Sequence, residues 1–507
     1  MPYNQDDLPP RRKVFGVSLK RSGRARRSQA EIPNITGWND VSPRHGTAFQ
    51  VRHRVRDAVA CAVVALLCFV GAAAGATLLD INRTIDDGMV DVIPQNGQSA
   101  SAQVVDPNAG KPIEILVLGQ DTREGAGNTA IGGDFEDVQD QHQADTTMVV
   151  QISADRSYIN LMSIPRDSMV DVPSCETSAG TMGAQYNVMF NSVFASAYRM
   201  GGDLASAASC TLNAVNSLTG LDIQNFIVVD FNGLKSMIDA IGGVDICIPS
   251  DIDDVYTTLT LSKGWQHLDG TAATQYARMR HGAGDGSDVQ RTARQQYLVK
   301  QLLQQALDKD LLTQSGQLYQ LAKAALKSLN ISKGLANSTT LAGLAMSLKD
   351  LDVSHFYTRT VPVVESPYDA NRVVWSSDAD TLWARMRNGQ PFVEQAGQSD
   401  ADGAQDAGSD AGSAADGSAD GSQSADGGST DADADANADA NAESGDRNAQ
   451  QSVEVASGVV MDADGSYIDT ATGGVIDTET GIIKDPYTGL VVGISESYLN
   501  NVACPVN

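Results

Sequence analysis

From Lys111 to about Gln395 the chain alternates short, nearly continuous apolar runs with longer amphipathic ones. IEILVLG (113–119), TTMVVQISA (146–154) and YINLMSI (158–164) have the pattern of strands buried on both faces, and NFIVVDF (225–231) and VDICIPS (244–250) read the same way. Between them, residues 191–218 read as one long helix stopped by Gly220. NGLKSMIDAIGG (232–243) reads as a helix ending on a glycine pair, and Asp288 to about Leu312 as another. Strands and helices alternating within one domain predict an α/β fold, a three-layer α/β/α sandwich with a central mixed sheet.

The flanks follow other patterns. Residues 1–57 are basic, rich in Pro, Ser, Gly and Asn, and read as a disordered tail. Residues 58–79 carry no charge and would span roughly 33 Å as a helix, enough for the hydrocarbon core of a bilayer. Arg52, Arg54 and Arg56 precede this run and Asp80, Asp86 and Asp87 follow it, so the positive-inside rule keeps the N-terminus in the cytoplasm. A cleaved signal peptide is the alternative, against which stand the long leader and the length of the run. A single-pass transmembrane signal anchor is therefore expected, with the remainder outside the cytoplasmic membrane. Residues 80–112 read as a polar stalk, 113–395 as the globular domain, and 396–450, almost wholly Ala, Asp, Gly and Ser, as an acidic linker. In 451–507 the motif Asp-x-x-Thr-Gly recurs at Asp469, Asp477 and Asp485, each time before β-branched or apolar residues. This predicts a small β-repeat module with Asp and Gly in its turns. Turn chemistry accounts for these aspartates without calcium.

The net charge of −27 excludes a general binder of nucleic acid or other polyanions. Cys61 and Cys68 fall in the apolar run, leaving Cys175, Cys210, Cys247 and Cys504, none in CxxC or metal-type spacing. An even set fits an oxidising compartment, and four cysteines allow three pairings. Cys175–Cys210 is favoured, closing a 35-residue interval worth about 3–4 kcal/mol on the chain-entropy model. Cys247–Cys504 then follows by elimination.

Against this acidic background, residues 276–296 (YARMRHGAGDGSDVQRTARQQ) concentrate Arg278, Arg280, Arg291 and Arg294. Asp288 is a good N-cap for the second half, and Arg291, Arg294 and Gln295 share one helix face at i, i+3 and i+4. The glycine-rich HGAGDGSD supplies the bend that lets Arg278 and Arg280 converge with them. Guanidinium forks in such number suit several anionic oxygens, phosphate or pyrophosphate above all. Asp121 follows the strand 113–119, Asp145 immediately precedes the next, and Arg166 ends the third. Ligands gather at the carboxyl ends of strands in α/β sheets. Two such carboxylates facing a pyrophosphate make a natural Mg²⁺ site.

The set ILVLGQDTREG, ADTTMVV, SIPRDSMVDVP, NSVFASAYRMGG, VVDFNGLKSMIDAIGGVDICIP and LDGTAATQYARMRHGAGDGSDVQRTARQQ resembles the LytR-CpsA-Psr family, and most of all its members from high-GC Gram-positive bacteria. The resemblance implies an enzyme, a phosphotransferase that moves a cell-wall glycopolymer phosphate from a polyprenyl-pyrophosphate carrier to peptidoglycan at the membrane. By motif, Asp121 and Asp145 correspond to the family's Mg²⁺-associated acids, with Mn²⁺ as a substitute. Arg166, Arg278, Arg280, Arg291 and Gln295 correspond to its pyrophosphate-contacting residues, joined more loosely by Arg123 and Asp288. Asp121, Arg166, Arg278 and Arg280 are the expected catalytic set. The chain departs from the commonest pattern at Gln120 and in a long interval between Asp121 and Asp145. The apolar residues of 191–218 and of NFIVV are candidates to line a lipid groove. A polyprenyl-pyrophosphate hydrolase and a non-enzymatic lipid-carrier binder or envelope regulator are the alternative readings.

Overall fold

The computed structural model describes residues 54–95, 105–107, 110–122, 128, 142–308, 323, 326–348, 351–392 and 453–505. Arg123, the linker 396–450 and all of the N-terminal tail before Arg54 lie outside the described residues. The chain divides into two units, 1–71 and 72–507, and the architecture below is that of the second. Helix α1 (Arg54–Asp87) includes the whole of the expected span 58–79. Many of that run's side chains lie outside the described set. Among the described residues no helix is long and apolar enough to cross a membrane.

Seven strands form the central sheet: β1 (Met89–Val90), β2 (Ile113–Asp121), β3 (Gln143–Ile152), β4 (Ile159–Ile164), β5 (Asn225–Asp230), β6 (Leu329–Ser332) and β7 (Phe356–Thr360), in the order β1-β6-β5-β2-β3-β4-β7. The sheet is mixed: β1–β6, β5–β2 and β4–β7 pair parallel, and β6–β5, β2–β3 and β3–β4 antiparallel. Its two faces are set by alternation along the strands. Leu116, Leu118, Val149 and Met162 point to one side, into a core with Phe190, Phe194, Leu212, Val215 and Trp383. That side carries α2 (Phe190–Gly201), α3 (Leu204–Thr219) and α8 (Asp378–Arg387). Ile115, Met148 and Leu161 point to the other, where α6 (Asp288–Asp308) and α7 (Ser338–Leu348) pack. Helices α4 (Phe231–Ala240) and α5 (Gly270–Arg278) complete the fold. Layers of helix, sheet and helix are thus present as the apolar pattern requires.

Three local expectations are corrected. The long helix expected over 191–218 is two helices. Gly202 closes α2 in the left-handed conformation, and the Asp203 carboxylate starts α3 by accepting from Ser206 N–H at 2.7 Å. The start of the expected stalk belongs to the domain. Ile85 is buried in the core beneath the sheet, β1 is an edge strand, and Gln95 exchanges two hydrogen bonds with the backbone of Glu176. Its apolar positions Ile81, Ile85, Val90 and Val92 are what fold it back. Finally, Val244–Ile248 pairs antiparallel with Gly264–Leu268, apart from the central sheet.

The C-terminal residues form a six-stranded antiparallel meander running in sequence order from Val453–Ala456 to Val491–Ile494. In each repeat the Asp side chain accepts from the N–H of the Thr three residues on, and the Gly N–H returns to the Asp carbonyl. The meander packs on α6: Ile482, Tyr498 and Leu499 share a core with Tyr276, Tyr297 and Leu298. Lys300 pairs with Glu496 at 2.7 Å, and Tyr297 Oη donates to Asn500 at 3.1 Å. Strand Val491–Ile494 lies against β7. Both disulfides take the favoured pairing, Cys175–Cys210 and Cys247–Cys504. The second joins the meander to the strand at 244–248.

Candidate active site

A backbone irregularity aims the first two acids. Along β2, Val117, Gly119 and Asp121 face the α6 side, as period-2 alternation demands. On β3, Thr146 and Met148 face the same side, so regular alternation would turn Asp145 away with Thr147 and Val149. The ladder breaks there: Gly119 pairs with Thr146 but Gln120 with Ala144, leaving Asp145 as the extra residue of a β-bulge. Ala144 drops into the opposite core and Asp145 swings onto the wall that carries Asp121. Gly119 is required beside it, because a Cβ there would stand 2.8 Å from the Thr146 Cβ.

The arginines arrive from two directions. Arg166 follows β4, and its Nη1 reaches both Asp145 oxygens at 3.0 and 2.9 Å. Helix α5 ends at Arg278, Met279 is extended, and Arg280 follows before the glycine turn. The Arg278 guanidinium lies 4.2 Å from the Phe231 ring centroid. At the start of α6, Ser287 rather than Asp288 has the capping role, accepting from Gln290 N–H at 3.4 Å. Asp288 instead accepts from Arg166 N–H at 3.1 Å and from Arg291 Nη2 at 2.5 Å. Arg291 also donates to the Asp145 carbonyl at 2.8 Å.

The expected trio on α6 divides. Arg291 and Gln295 line the cavity, but Gln295 is a brace, donating to Ala277 O at 3.0 Å and accepting from Thr146 Oγ1 at 3.1 Å. Arg294 is buried away from the cavity wall, and its Nη2 donates to Met279 O at 2.8 Å. It thereby holds the peptide between Arg278 and Arg280.

These residues enclose a cavity of about 490 Å³. Its polar end has Asp121, Asp145, Arg166, Arg278, Arg280 and Arg291; its apolar wall has Val229, Leu234, Met237, Leu298, Val299 and Leu302. The structure therefore brings together the sequence-predicted site residues except Arg294, which is buried away from the cavity, and Arg123, which lies outside the described residues. Helices α2 and α3, candidates to line a groove, are plain core on the opposite face of the sheet, whereas Val229 of NFIVV does line the cavity. Sequence reasoning missed Phe231, Leu234 and Met237. Their spacing on the amphipathic helix after β5 was the available signal.

Hydrogen-bond donors at the polar end are incompletely used. Burial alone would raise the Asp145 pKa, but Arg291 and then Arg166 hold it below the usual carboxylate range. Burial works against the Arg166 cation, yet Asp145, Asp288 and Asp167 raise its pKa. Arg280 differs: burial, then repulsion from Arg291 and Arg166, lowers its pKa despite Asp288 and Asp145. Its Nη2 is buried without a hydrogen-bond partner and stands 3.8 Å from Asp288. An anion placed there would meet a donor that the protein leaves unsatisfied.

Among the described residues no cluster of three or more His, Cys, Asp or Glu is arranged to hold a metal ion. The donor set still fits Mg²⁺, which takes one or two carboxylates and completes its shell with phosphate oxygens and water. Asp121 and Asp145 both face the cavity, and each Asp145 oxygen retains lone-pair capacity after accepting from Arg166.

Residues 83–388 match the family model described as the LytR_cpsA_psr family. Over 304 residues the chain is 27% identical to a cell wall biosynthesis protein, LcpA, of Corynebacterium glutamicum, covering 57% of this chain and 58% of that protein. It is 26% identical over 245 residues to the polyisoprenyl-teichoic acid–peptidoglycan teichoic acid transferase TagV of Bacillus subtilis, covering 47% of this chain and 55% of that protein. The chain thus spans somewhat more than half the length of these curated relatives. Among solved structures, a LytR-Csp2A-Psr enzyme from Actinomyces oris aligns with a TM-score of 0.40 and 21% identity, over 59% of this chain and 94% of that one.

Proposed function

Because the chain belongs to the LytR-CpsA-Psr family, we propose that its cavity is the active site of a membrane-anchored phosphotransferase moving a glycopolymer phosphate from a polyprenyl-pyrophosphate carrier to peptidoglycan. The buried Nη2 of Arg280, which meets no hydrogen-bond acceptor and lies in a cavity that also has aliphatic lining, carries this reading. A ligand that satisfies both ends has several anionic oxygens joined to a hydrocarbon chain. A polyprenyl pyrophosphate is such a molecule, and the relative TagV is named for a polyisoprenyl-linked substrate. The anchor rests on the uncharged run 58–79 and the arginines before it, and it leaves the domain outside the cytoplasmic membrane.

In the proposed reaction a hydroxyl of the acceptor sugar attacks the phosphorus bonded to the glycan. The bond from that phosphorus to the bridging oxygen breaks, and polyprenyl phosphate departs with the electron pair. Arg166, Arg278, Arg280 and Arg291 fix the diphosphate and stabilise the charge that grows on its oxygens and on the leaving group. Asp145, held ionised by Arg291 and Arg166, is a poor proton acceptor. Asp230 is committed to capping α4 and to Asn128. We assign the acceptor hydroxyl's proton to Asp121 on its position in the cavity wall at the carboxyl end of β2. A Mg²⁺ ion held by Asp121 and Asp145 would supply further neutralisation of the diphosphate. Leu234, Met237, Leu298 and Leu302 accommodate the first isoprene units and keep water from the reacting phosphorus.

The test incubates the full chain, disulfides intact, with Mg²⁺, a short synthetic polyprenyl-pyrophosphate glycan and peptidoglycan fragments, and identifies products by mass spectrometry. A phosphodiester-linked glycan, lost in Asp121→Ala and Arg278→Ala variants that remain folded, is expected. Wild-type transfer by Arg278→Ala would overturn the arginine assignment. Free glycan phosphate alone would make the protein a hydrolase, and tight lipid binding without turnover a carrier-binding protein.

A further inference from the structure

Beside the arginine turn stands a short hairpin, Ile252–Asp254 paired with Leu259–Leu261, that contributes nothing to the cavity wall. Its tip shows two apolar side chains to solvent, Val255 at 75% and Tyr256 at 77% exposure. The tip is nevertheless firmly built. Asp254 is buried, and its carboxylate accepts from Tyr256 N–H at 2.9 Å and from Thr257 Oγ1 at 3.0 Å. Thr258 is held at φ +56°, a conformation a β-branched residue adopts only when its surroundings impose it. On one side Gln275 of α5 meets Thr258 Oγ1 at 3.3 Å. On the other, Gly282 backs so closely onto the Asp253 carbonyl that a Cβ there would approach it to 3.0 Å.

The result of this construction is the placement of one ring. Tyr256 lies 4.5 Å from His281, ring centroid to centroid, and His281 is the residue after Arg280. A buried carboxylate and a strained residue are thus used to hold an exposed aromatic pair at the turn that begins directly after Arg280. Rigid loops that display aromatics beside a polar site are characteristic of recognition surfaces. The hairpin's outer strands give Tyr256 no partner besides His281 among the ring contacts of the described residues. Pyranose rings have an apolar face of C–H groups that stacks on aromatic rings, while their hydroxyl edges remain hydrated.

We propose that the hairpin tip and His281 form a sugar-stacking subsite, in which Tyr256 covers the apolar face of a pyranose ring next to the phosphate held by Arg280. It rests on the phosphotransferase reading and adds to it the part of the substrate beyond the diphosphate. The ring belongs either to the first sugar of the donor glycan or to the acceptor sugar of peptidoglycan; both present the same C–H face.

Saturation-transfer NMR on the full chain in detergent micelles tests this, with aromatic protons irradiated. Three probes are used: farnesyl-pyrophosphoryl-N-acetylglucosamine for the donor sugar, a muramic-acid-containing disaccharide for the acceptor, and sugar-free farnesyl pyrophosphate. Pyranose C–H protons of one sugar probe should be saturated in the wild type. Tyr256→Ala should weaken that probe by about fivefold or more, and Tyr256→Trp should preserve it. The probe affected identifies the sugar. Farnesyl pyrophosphate should bind Tyr256→Ala as it binds the wild type and should be lost in Arg280→Ala. Equal signals from wild type and Tyr256→Ala with both sugar probes, or no saturation of ring protons in the wild type, would overturn the subsite alone. Tyr256-dependent sugar binding without any binding of farnesyl pyrophosphate would instead overturn the pyrophosphate site and leave the subsite standing.

Discussion

In the C-terminal meander Asp469, Asp477 and Asp485 each direct a carboxylate at N–H groups of their own turn. In the cavity Arg166, Arg280 and Arg291 each keep a buried nitrogen that no hydrogen-bond acceptor meets among the described residues. Both regions concentrate charged residues of one sign, so composition alone shows the two alike. Their difference lies in satisfaction. The meander's carboxylates complete a local backbone structure, whereas the cavity's arginines share Asp145, Asp167 and Asp288 and still leave Arg280 Nη2 without an acceptor. Charge that is locally satisfied stabilises; charge that is gathered and left short of partners binds.

This contrast can be broken most forcefully at the tether. Replacing Cys247 and Cys504 together by Ala frees an interval of 257 residues, which on the chain-entropy model removes about 5 kcal/mol of stability. Urea unfolding should register this as a larger loss than the same change at Cys175 and Cys210. An equal or smaller loss would mean that the meander's packing on α6 holds without it. Next in size, Arg280→Ala should reduce transfer by about a hundred- to a thousandfold, the scale of a lost transition-state donor. Its melting temperature should not fall, because the substitution also removes repulsion with Arg291 and Arg166. A variant that both melts earlier and keeps its activity would make Arg280 a structural residue.

A smaller effect separates the acids by pH. The folded pKa of Asp145 lies below its ordinary value of 3.8. Its ionised form therefore contributes stability above that value, and the contribution is lost as pH falls through the lower folded pKa. The stability gap between wild type and Asp145→Asn should be constant near neutrality and narrow below about pH 4, as followed by urea unfolding. A gap that widens on acidification would reverse the assignment. Least of all, Asp485→Asn in the exposed last turn should leave activity and melting temperature unchanged within error, with or without calcium. Calcium-dependent stabilisation of the wild type would place a ligand site where only turn chemistry is read.

The sheet, the arginine cluster and both disulfides were legible because each depends on residue type at a spacing: apolar runs at 113–119 and 158–164, guanidinium groups at 278, 280 and 291, four cysteines beyond the apolar run 58–79. What escaped was decided by backbone detail. No composition rule announces the bulge that turns Asp145 onto the cavity wall. The division of 191–218 was written in Gly201-Gly202-Asp203, but helical periodicity on either side outweighed it. Arg294 shares a helical spacing with Arg291, yet a carbonyl presented by the preceding turn drew it elsewhere. The residues 80–95 looked like a stalk because their apolar positions are few, although Ile85 is among the most buried side chains of its layer.

The placement of the meander has a consequence for assembly. Strand β7 ends one side of the central sheet, and Val491–Ile494 lies against it, while the other side ends in the two-residue strand β1. The meander stands close to β7 without joining its hydrogen-bonded ladder, and the opposite edge is too short to template a strand. Cutting the chain before the meander would uncover β7 together with the apolar face of α6. The truncated protein should then be lost to self-association before any fault in its chemistry could be measured.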